Sequence, residues 1–174
     1  MKRVLMWTAV VGLMGLAAMG ELKNPVFDTD EAGLLAVLRS DAAQDDKVAA
    51  CQTLCFRGTG ASVQPLADLL KEETPMPLFH AARYGLENIP DAKADAALLA
   101  AAGRVKGLRL AGVMQSCGNR KVAAAVPLLA TGLTDADPAI VRAAAGALAK
   151  IRTPEALAAL RKAAPTVADA AAAL

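Results

Sequence analysis

The stretch "VPLLATGLTDADPAIVRAAAGALAKIRTPEA", Val126 to Ala156, has a pattern of apolar residues that recurs elsewhere in the chain. Placing Pro65 on Pro127, a shift of 62 residues, aligns the apolar positions without a gap. The aligned pairs include Leu66 with Leu128, Leu78 with Ile140, Phe79 with Val141, Ala82 with Ala144, Leu86 with Leu148 and Ile89 with Ile151. Half that shift also works: Val48, Cys51 and Cys55 fall on Phe79, Ala82 and Leu86. The period is therefore 31 residues, which is typical of solenoid proteins.

The pattern predicts two short helices in each unit, separated by glycine, proline or acidic residues. The predicted first helices run near Glu31–Arg39, Ser62–Lys71, Asp95–Ala102, Val122–Leu133 and Pro154–Lys162. The predicted second helices run near Lys47–Phe56, Met76–Asn88, Leu108–Ser116 and Ala139–Ile151. A two-helix unit of this size cannot bury its apolar face alone, so neighbouring units must stack. We therefore predict an all-α protein, a right-handed α-solenoid of four units and a partial fifth over residues 31–174.

Val126 to Ala156 resembles a HEAT repeat of the short bacterial kind related to the phycobilisome-lyase HEAT-like repeats. The resemblance lies in the Pro127-Leu128 start, the Asp135-x-Asp137-Pro138 turn and the alanine-rich helix that ends at Ile151. One position departs, because Val141 stands where the family usually has arginine, and Arg142 follows it. The longer block from Phe79 to Lys121 is similar to HEAT-repeat regions of exported bacterial proteins. The resemblance implies that the second helices line a concave surface, while it leaves the ligand open, since solenoid repeats serve many functions.

The N-terminus has the layout of a secretory signal peptide. Lys2 and Arg3 precede an apolar run, Val4 to Ala18, and small residues then flank Met19 before a cut after Gly20. The run is shorter than the roughly 20 residues that cross a bilayer, although an uncleaved anchor remains the alternative. We predict a signal peptide at 1–20, a linker at 21–30, and export to the periplasm or the extracellular space. No membrane span is expected after cleavage.

The charge of the chain argues against a nucleic-acid partner. Cleavage removes Lys2 and Arg3 from the 19 basic side chains and none of the 17 acidic ones, so the mature chain is neutral. A sequence-independent grip on phosphates needs a basic excess. The two halves nevertheless differ, with 13 acidic and 7 basic residues over 21–95 against 4 acidic and 10 basic over 96–174. The basic half is either an ordinary solvated surface or a site for an acidic partner, including a second copy of this chain.

The residue types that carry chemistry are scarce. The only histidine is His80, so no zinc-ligand spacing or catalytic Cys–His pattern is indicated. All three cysteines, Cys51, Cys55 and Cys117, fall in core columns of the repeat and are predicted to act as buried hydrophobes. A Cys51–Cys55 disulfide, one helical turn apart, would form only with strain. We predict no catalytic residue, no metal and no cofactor.

The segment "FHAARYGLENIPD", Phe79 to Asp91, holds the most varied side chains. A helical wheel places His80, Arg83, Tyr84 and Glu87 opposite the core side. With outward positions of the neighbouring second helices they form one candidate protein-binding strip: Gln52, Phe56, His80, Arg83, Tyr84, Glu87, Met114 and Gln115. An aromatic beside an arginine is typical of protein-binding surfaces. The alternative is a local network on an ordinary helix surface, with Arg83 bonded to Glu87 and His80 to Tyr84.

Three functions compete. The leading hypothesis is an exported, non-enzymatic module that binds a segment of an unidentified protein partner on its concave surface. The second is a structural array that supports other domains or subunits of an envelope assembly. The third, kept only because of the relatives of the repeat, is a lyase- or hydrolase-associated enzyme domain.

Overall fold

The computed structural model describes residues 29–172, with side chains through Ala164. The predicted signal peptide at 1–20 and all but the end of the linker at 21–30 lie outside the described residues. Within residues 29–172 the regular structure is entirely helical. The helices are α1 (Glu31–Arg39), α2 (Gln44–Arg57), α3 (Val63–Ala67), α4 (Met76–Asn88), α5 (Ala92–Ala102), α6 (Gly107–Asn119), α7 (Val126–Gly132), α8 (Pro138–Ile151) and α9 (Pro154–Ala172).

The helices pair as the 31-residue period predicts. The second helices of the units, α2, α4, α6 and α8, stack in sequence, each against the next. The first helices form the other layer, in which α3 touches α1 and α5 while α7 touches α9. The described residues thus form an α-solenoid of four helix pairs followed by α9, and the prediction of an all-α solenoid is confirmed.

Two predicted first helices are shorter in the structure. Turns of 3-10 helix, Gly60–Ser62 and Ala123–Ala125, precede α3 and α7. Pro127 lacks an N–H and crowds the carbonyl four residues back, which explains why α7 begins at Val126 rather than at the predicted Val122. The helix α3 differs at its other end, where it stops at Ala67 instead of the predicted Lys71. The helix predicted at Pro154–Lys162 runs on to Ala172.

One continuous core lies between the two layers. Phe79 on α4 is its largest fully buried side chain, and leucines from both layers surround it. Small residues let the second helices approach closely. A Cβ placed on Gly118 of α6 would lie 2.5 Å from the Cα of Ala147 on α8. This contact fixes how α6 and α8 lie against each other.

Polar side chains join consecutive units. Arg120, which follows α6, donates through Nη1 to the carbonyls of Leu86, Glu87 and Ile89 at 3.1, 3.0 and 2.7 Å. It also donates to the Asp91 carbonyl at 3.0 Å and forms an ion pair with Asp95. The bonds to Leu86 and Glu87 satisfy carbonyls in the last turn of α4 that have no partner within their own helix.

A second arginine makes a similar link. Arg109 on α6 donates to the carbonyls of Glu72 and Thr74 at 2.9 and 2.7 Å and pairs with the Glu72 carboxylate. Its Cζ lies 5.1 Å from the ring centre of Phe79. Arg109 and Arg120 therefore hold the third unit against the second.

Candidate functional site

The outward surface of α2, α4, α6 and α8, here called the second-helix face, carries three large apolar side chains in solvent. Phe56 at the end of α2 is 88 % exposed, Tyr84 in α4 is 53 % exposed and Leu108 at the start of α6 is 67 % exposed. Each stands on a different helix, so the three cross consecutive units, and we call them the exposed strip. Exposed apolar side chains that lie close together mark interaction sites, whereas single ones are common on any surface.

A groove of about 380 Å³ opens between α2 and α4, and we call it the apolar groove. Its walls are mostly apolar, with His80 at one edge. The lining residues are Val48, Gln52, Cys55, Phe56, Pro77, His80, Ala81 and Tyr84. The groove can receive an aliphatic or aromatic side chain.

A second cavity of about 550 Å³ lies between α4, α6 and α8, and we call it the arginine cavity. The lining residues are His80, Arg83, Leu108, Ala111, Gly112, Gln115, Ala139, Arg142 and Ala143. It is lined by two arginines, Arg83 and Arg142, whereas no arginine lines the apolar groove. Because His80 lines both cavities, they adjoin on one face.

Arg83 is buried, although the helical wheel placed it on the exposed side. It is only 6 % exposed, and its Nη1 donates to Glu87 Oε2 at 3.2 Å and to Ser116 Oγ. Its Cζ lies 4.8 Å from the Tyr84 ring centre. Space for the guanidinium comes from α6, since a Cβ on Gly112 would lie 3.3 Å from Arg83 Nε. The expectation of an exposed Arg83 is wrong because a glycine on the neighbouring helix makes room for it.

Glu87 belongs to the same network. Besides Arg83, it accepts from Ser116 Oγ at 2.6 Å and from Asn119 Nδ2 at 2.7 Å. The predicted Arg83–Glu87 pair is confirmed, but the network extends across units, which one helix could not reveal. Glu87 is thus mostly buried and committed to internal bonds rather than available to a ligand.

Met114 was also expected on the exposed surface, and it is buried in the core. Its side chain reaches towards α7, where a Cβ on Gly132 would lie 3.0 Å from Met114 Cε. The small residue at position 132 again creates the space. Five predicted strip residues do lie exposed on the second-helix face: Gln52, Phe56, His80, Tyr84 and Gln115.

Two residues of the second-helix face, Leu108 and Arg142, are absent from the predicted strip. Leu108 is the second residue of α6, and the outward columns of the repeat begin one turn later, at Ala111, so they did not include it. Arg142 was in an outward column but among alanines and a glycine, which made that unit look featureless. The absence of Asp and Glu between Asp95 and Asp135 was the available signal that this surface is basic.

Cys55 and His80 line the same groove, so a Cys–His catalytic pair must be considered. Burial and the charge of Glu87 raise the pKa of the Cys55 thiol. Burial, together with the charges of Arg83 and Arg109, lowers the pKa of His80. A nucleophilic pair needs the opposite shifts, a thiolate beside an imidazolium. The electrostatics of this groove therefore work against thiol chemistry.

All three cysteines are free thiols, so no Cys51–Cys55 disulfide is formed. Cys51 and Cys117 are buried as predicted, and burial raises the pKa of Cys51 to about 12 and that of Cys117 to about 11. Cys55 departs from the prediction, since it is only half-buried and lines the apolar groove.

This difference predicts the order of thiol labelling. Thiolates react and thiols do not, so at pH 8 the folded protein should react at Cys55 well before Cys51 or Cys117. Mass spectrometry of peptides after a short iodoacetamide pulse measures the order, and denatured protein serves as the control in which all three label. Faster labelling of Cys51 or Cys117 in the folded protein would contradict the packing described above.

Within residues 29–172 no three His, Cys, Asp or Glu side chains are grouped so that they could hold a metal ion. None of the helices in this range has the length and hydropathy required to cross a bilayer.

The comparison with known families agrees with the fold. A family model described as HEAT repeats matches residues 106–174, which extend from the start of α6 through α9. The same helix pairing continues towards the N-terminus through α1 to α5. No curated protein matches the chain in sequence.

Proposed function

We propose that this chain, whose residues 106–174 match a family model described as HEAT repeats, is an exported, non-enzymatic interaction module that holds a segment of another protein on its second-helix face. HEAT repeats are consistent with an interaction or scaffold role, and the surface of this chain supports a particular place for it. A protein partner is favoured over nucleic acid because the mature chain has no basic excess.

The observation that carries the proposal is the exposed strip of Phe56, Tyr84 and Leu108 beside two cavities. Burying an aromatic side chain of this size contributes about 2 kcal/mol, and aromatic residues are enriched among those that dominate binding energy. Tyr84 is also held in place, since Arg83 lies against its ring. A side chain that is already ordered loses less entropy on binding.

Two observations support the remaining parts of the proposal. The raised pKa of Cys55 and the lowered pKa of His80 favour a binding surface over a catalytic one. Export rests on the basic, apolar and small-residue order of residues 1–20. On this view the binding face meets its partner outside the cytoplasm.

Co-purification with variants of the strip tests the proposal. Phe56→Ser and Tyr84→Ala change exposed side chains and should leave the fold within about 0.5 kcal/mol of wild type. We expect at least one envelope protein, cross-linked to the wild-type chain, to fall about tenfold in recovery with each variant, a loss of about 1.4 kcal/mol. Leu157→Ser, on α9 in the other layer, is the matched control and should retain that protein.

The same samples test export. Cleavage after Gly20 predicts an N-terminal peptide that begins at Glu21, which mass spectrometry identifies. Unchanged recovery with both Phe56→Ser and Tyr84→Ala would exclude the second-helix face as the site. Partners that persist in that case would favour the structural array, in which the solenoid supports an assembly through other surfaces.

A further inference from the structure

The chemistry of the two adjoining cavities narrows the class of partner, provided that the proposed function is correct. The apolar groove is lined by uncharged side chains and His80. The arginine cavity adds Arg83, Gln115 and Arg142, and no acidic side chain lines either cavity. A ligand that spans both therefore meets an apolar surface first and then an excess of positive charge.

The Arg142 guanidinium is not occupied by contacts within the described residues. It is exposed on α8 and makes no ion pair or hydrogen bond with any described residue. Gln115, one helix away on the same cavity, is likewise exposed. A guanidinium and an amide that face one cavity are the donors that recognise a carboxylate, the guanidinium with two parallel hydrogen bonds.

Arg83 lies at the wall of this cavity but is not free to bind a ligand. Its Nη1 donates to Glu87 and Ser116, and its Nε is buried with no acceptor among the described residues. Glu87 pairs with Arg83 but does not line the cavity. The donors that face a ligand in this cavity are therefore Arg142 and Gln115.

The layout also sets the length of the ligand. The strip runs from Phe56 near the end of α2 to Leu108 near the start of α6. It crosses two spacings between neighbouring helices of about 10 Å each and an offset along the helix axes of about 15 Å, so it is about 25 Å long. An extended peptide covers that distance with about seven or eight residues. A single small molecule in one cavity would leave the rest of the strip uncovered.

We infer that the ligand of the second-helix face is an extended acidic segment of another protein. It places a large apolar side chain in the apolar groove and a nearby Asp or Glu in the arginine cavity against Arg142.

Selection from a phage library of random peptides, about twice the length that the strip covers, tests the inference on the purified chain. We expect enriched peptides to combine Asp or Glu with Phe, Tyr, Trp or Leu, and their binding to weaken as salt rises. For a synthetic enriched peptide, Arg142→Ala should raise the Kd about tenfold, and Asp/Glu→Asn/Gln in the peptide should have the same effect. The two changes together should cost no more than either alone, because each removes the same contact.

Controls and outcomes separate this inference from the proposed function. Arg161→Glu reverses the charge of an exposed arginine on α9 and should leave the Kd unchanged, whereas Arg142→Glu should weaken binding further than Arg142→Ala. Enriched peptides that need Phe56 but carry no acidic residue would overturn the acidic ligand and leave the binding face standing. Peptides that bind independently of Phe56 and Tyr84, or no enrichment at all, would count against both. If instead the chain self-associates and Arg142→Glu abolishes this, the acidic half of a second copy is the ligand, and the inference of another protein is wrong.

Discussion

Replacing the mostly buried Arg120 side chain by alanine should lower the free energy of unfolding by about 3 kcal/mol. Its guanidinium bonds to four backbone carbonyls around the end of α4 and to the Asp95 carboxylate. Alanine would leave the Leu86 and Glu87 carbonyls without this donor and would break the link between the second and third units. Urea denaturation followed by circular dichroism gives the change.

Two companion variants define the origin of that loss. Asp95→Ala removes the ion pair but keeps the bonds to carbonyls, so it should cost about 1 kcal/mol or less. Arg104→Ala changes an exposed arginine of the same unit and should have little effect. Equal losses for Arg120→Ala and Arg104→Ala would contradict the role given to the carbonyl bonds.

Gly118→Ala is expected to destabilise the protein by about 2 to 3 kcal/mol, although alanine is the better helix former. The added methyl group would lie 2.5 Å from the Cα and 2.8 Å from the Cβ of Ala147. Backbone cannot move aside as a flexible side chain can, so α6 and α8 would have to separate. The melting temperature and the urea midpoint should both fall.

Gly146→Ala is the matched control for this prediction. Gly146 also lies within a second helix, α8, but a Cβ there would meet nothing within 4 Å. The substitution should raise stability by about 0.5 to 1 kcal/mol, because alanine restricts the unfolded chain and favours the helix. A Gly118→Ala protein that gains stability like Gly146→Ala would show that α6 and α8 are further apart than described.

The repeat register could be predicted because it is a property of the apolar pattern alone. Each unit must bury the same apolar positions against its neighbours. The alignment of Pro65 with Pro127 is therefore enough to predict the order of the helices. The helix Met76–Asn88 agrees at both ends with α4. The later start of α7 was missed because Pro127, rather than the apolar period, decides where its α-helical turns begin.

The candidate site was predicted only where exposure depends on one helix. Phe56, His80 and Tyr84 point outward whatever their neighbours are. Arg83 and Met114 instead depend on which residue of an adjacent unit faces them, and glycines at 112 and 132 open the space that buries each. A helical wheel contains no information about that neighbour, so the buried network of Arg83, Glu87 and Ser116 could not be seen in the sequence.

The arginine links have a consequence for motion. In a solenoid, stability is approximately the sum of each unit and its contacts with the two beside it. The third unit is tied to the second by Arg109, by the carbonyl bonds of Arg120 and by the Glu87 network. These links should keep the two units together during local opening, so amides at the ends of α4 and α6 that they join should exchange slowly with deuterium. The apolar groove and the arginine cavity share α4. A ligand would therefore dock on helices that the arginine links hold together, so binding would need little ordering of the backbone.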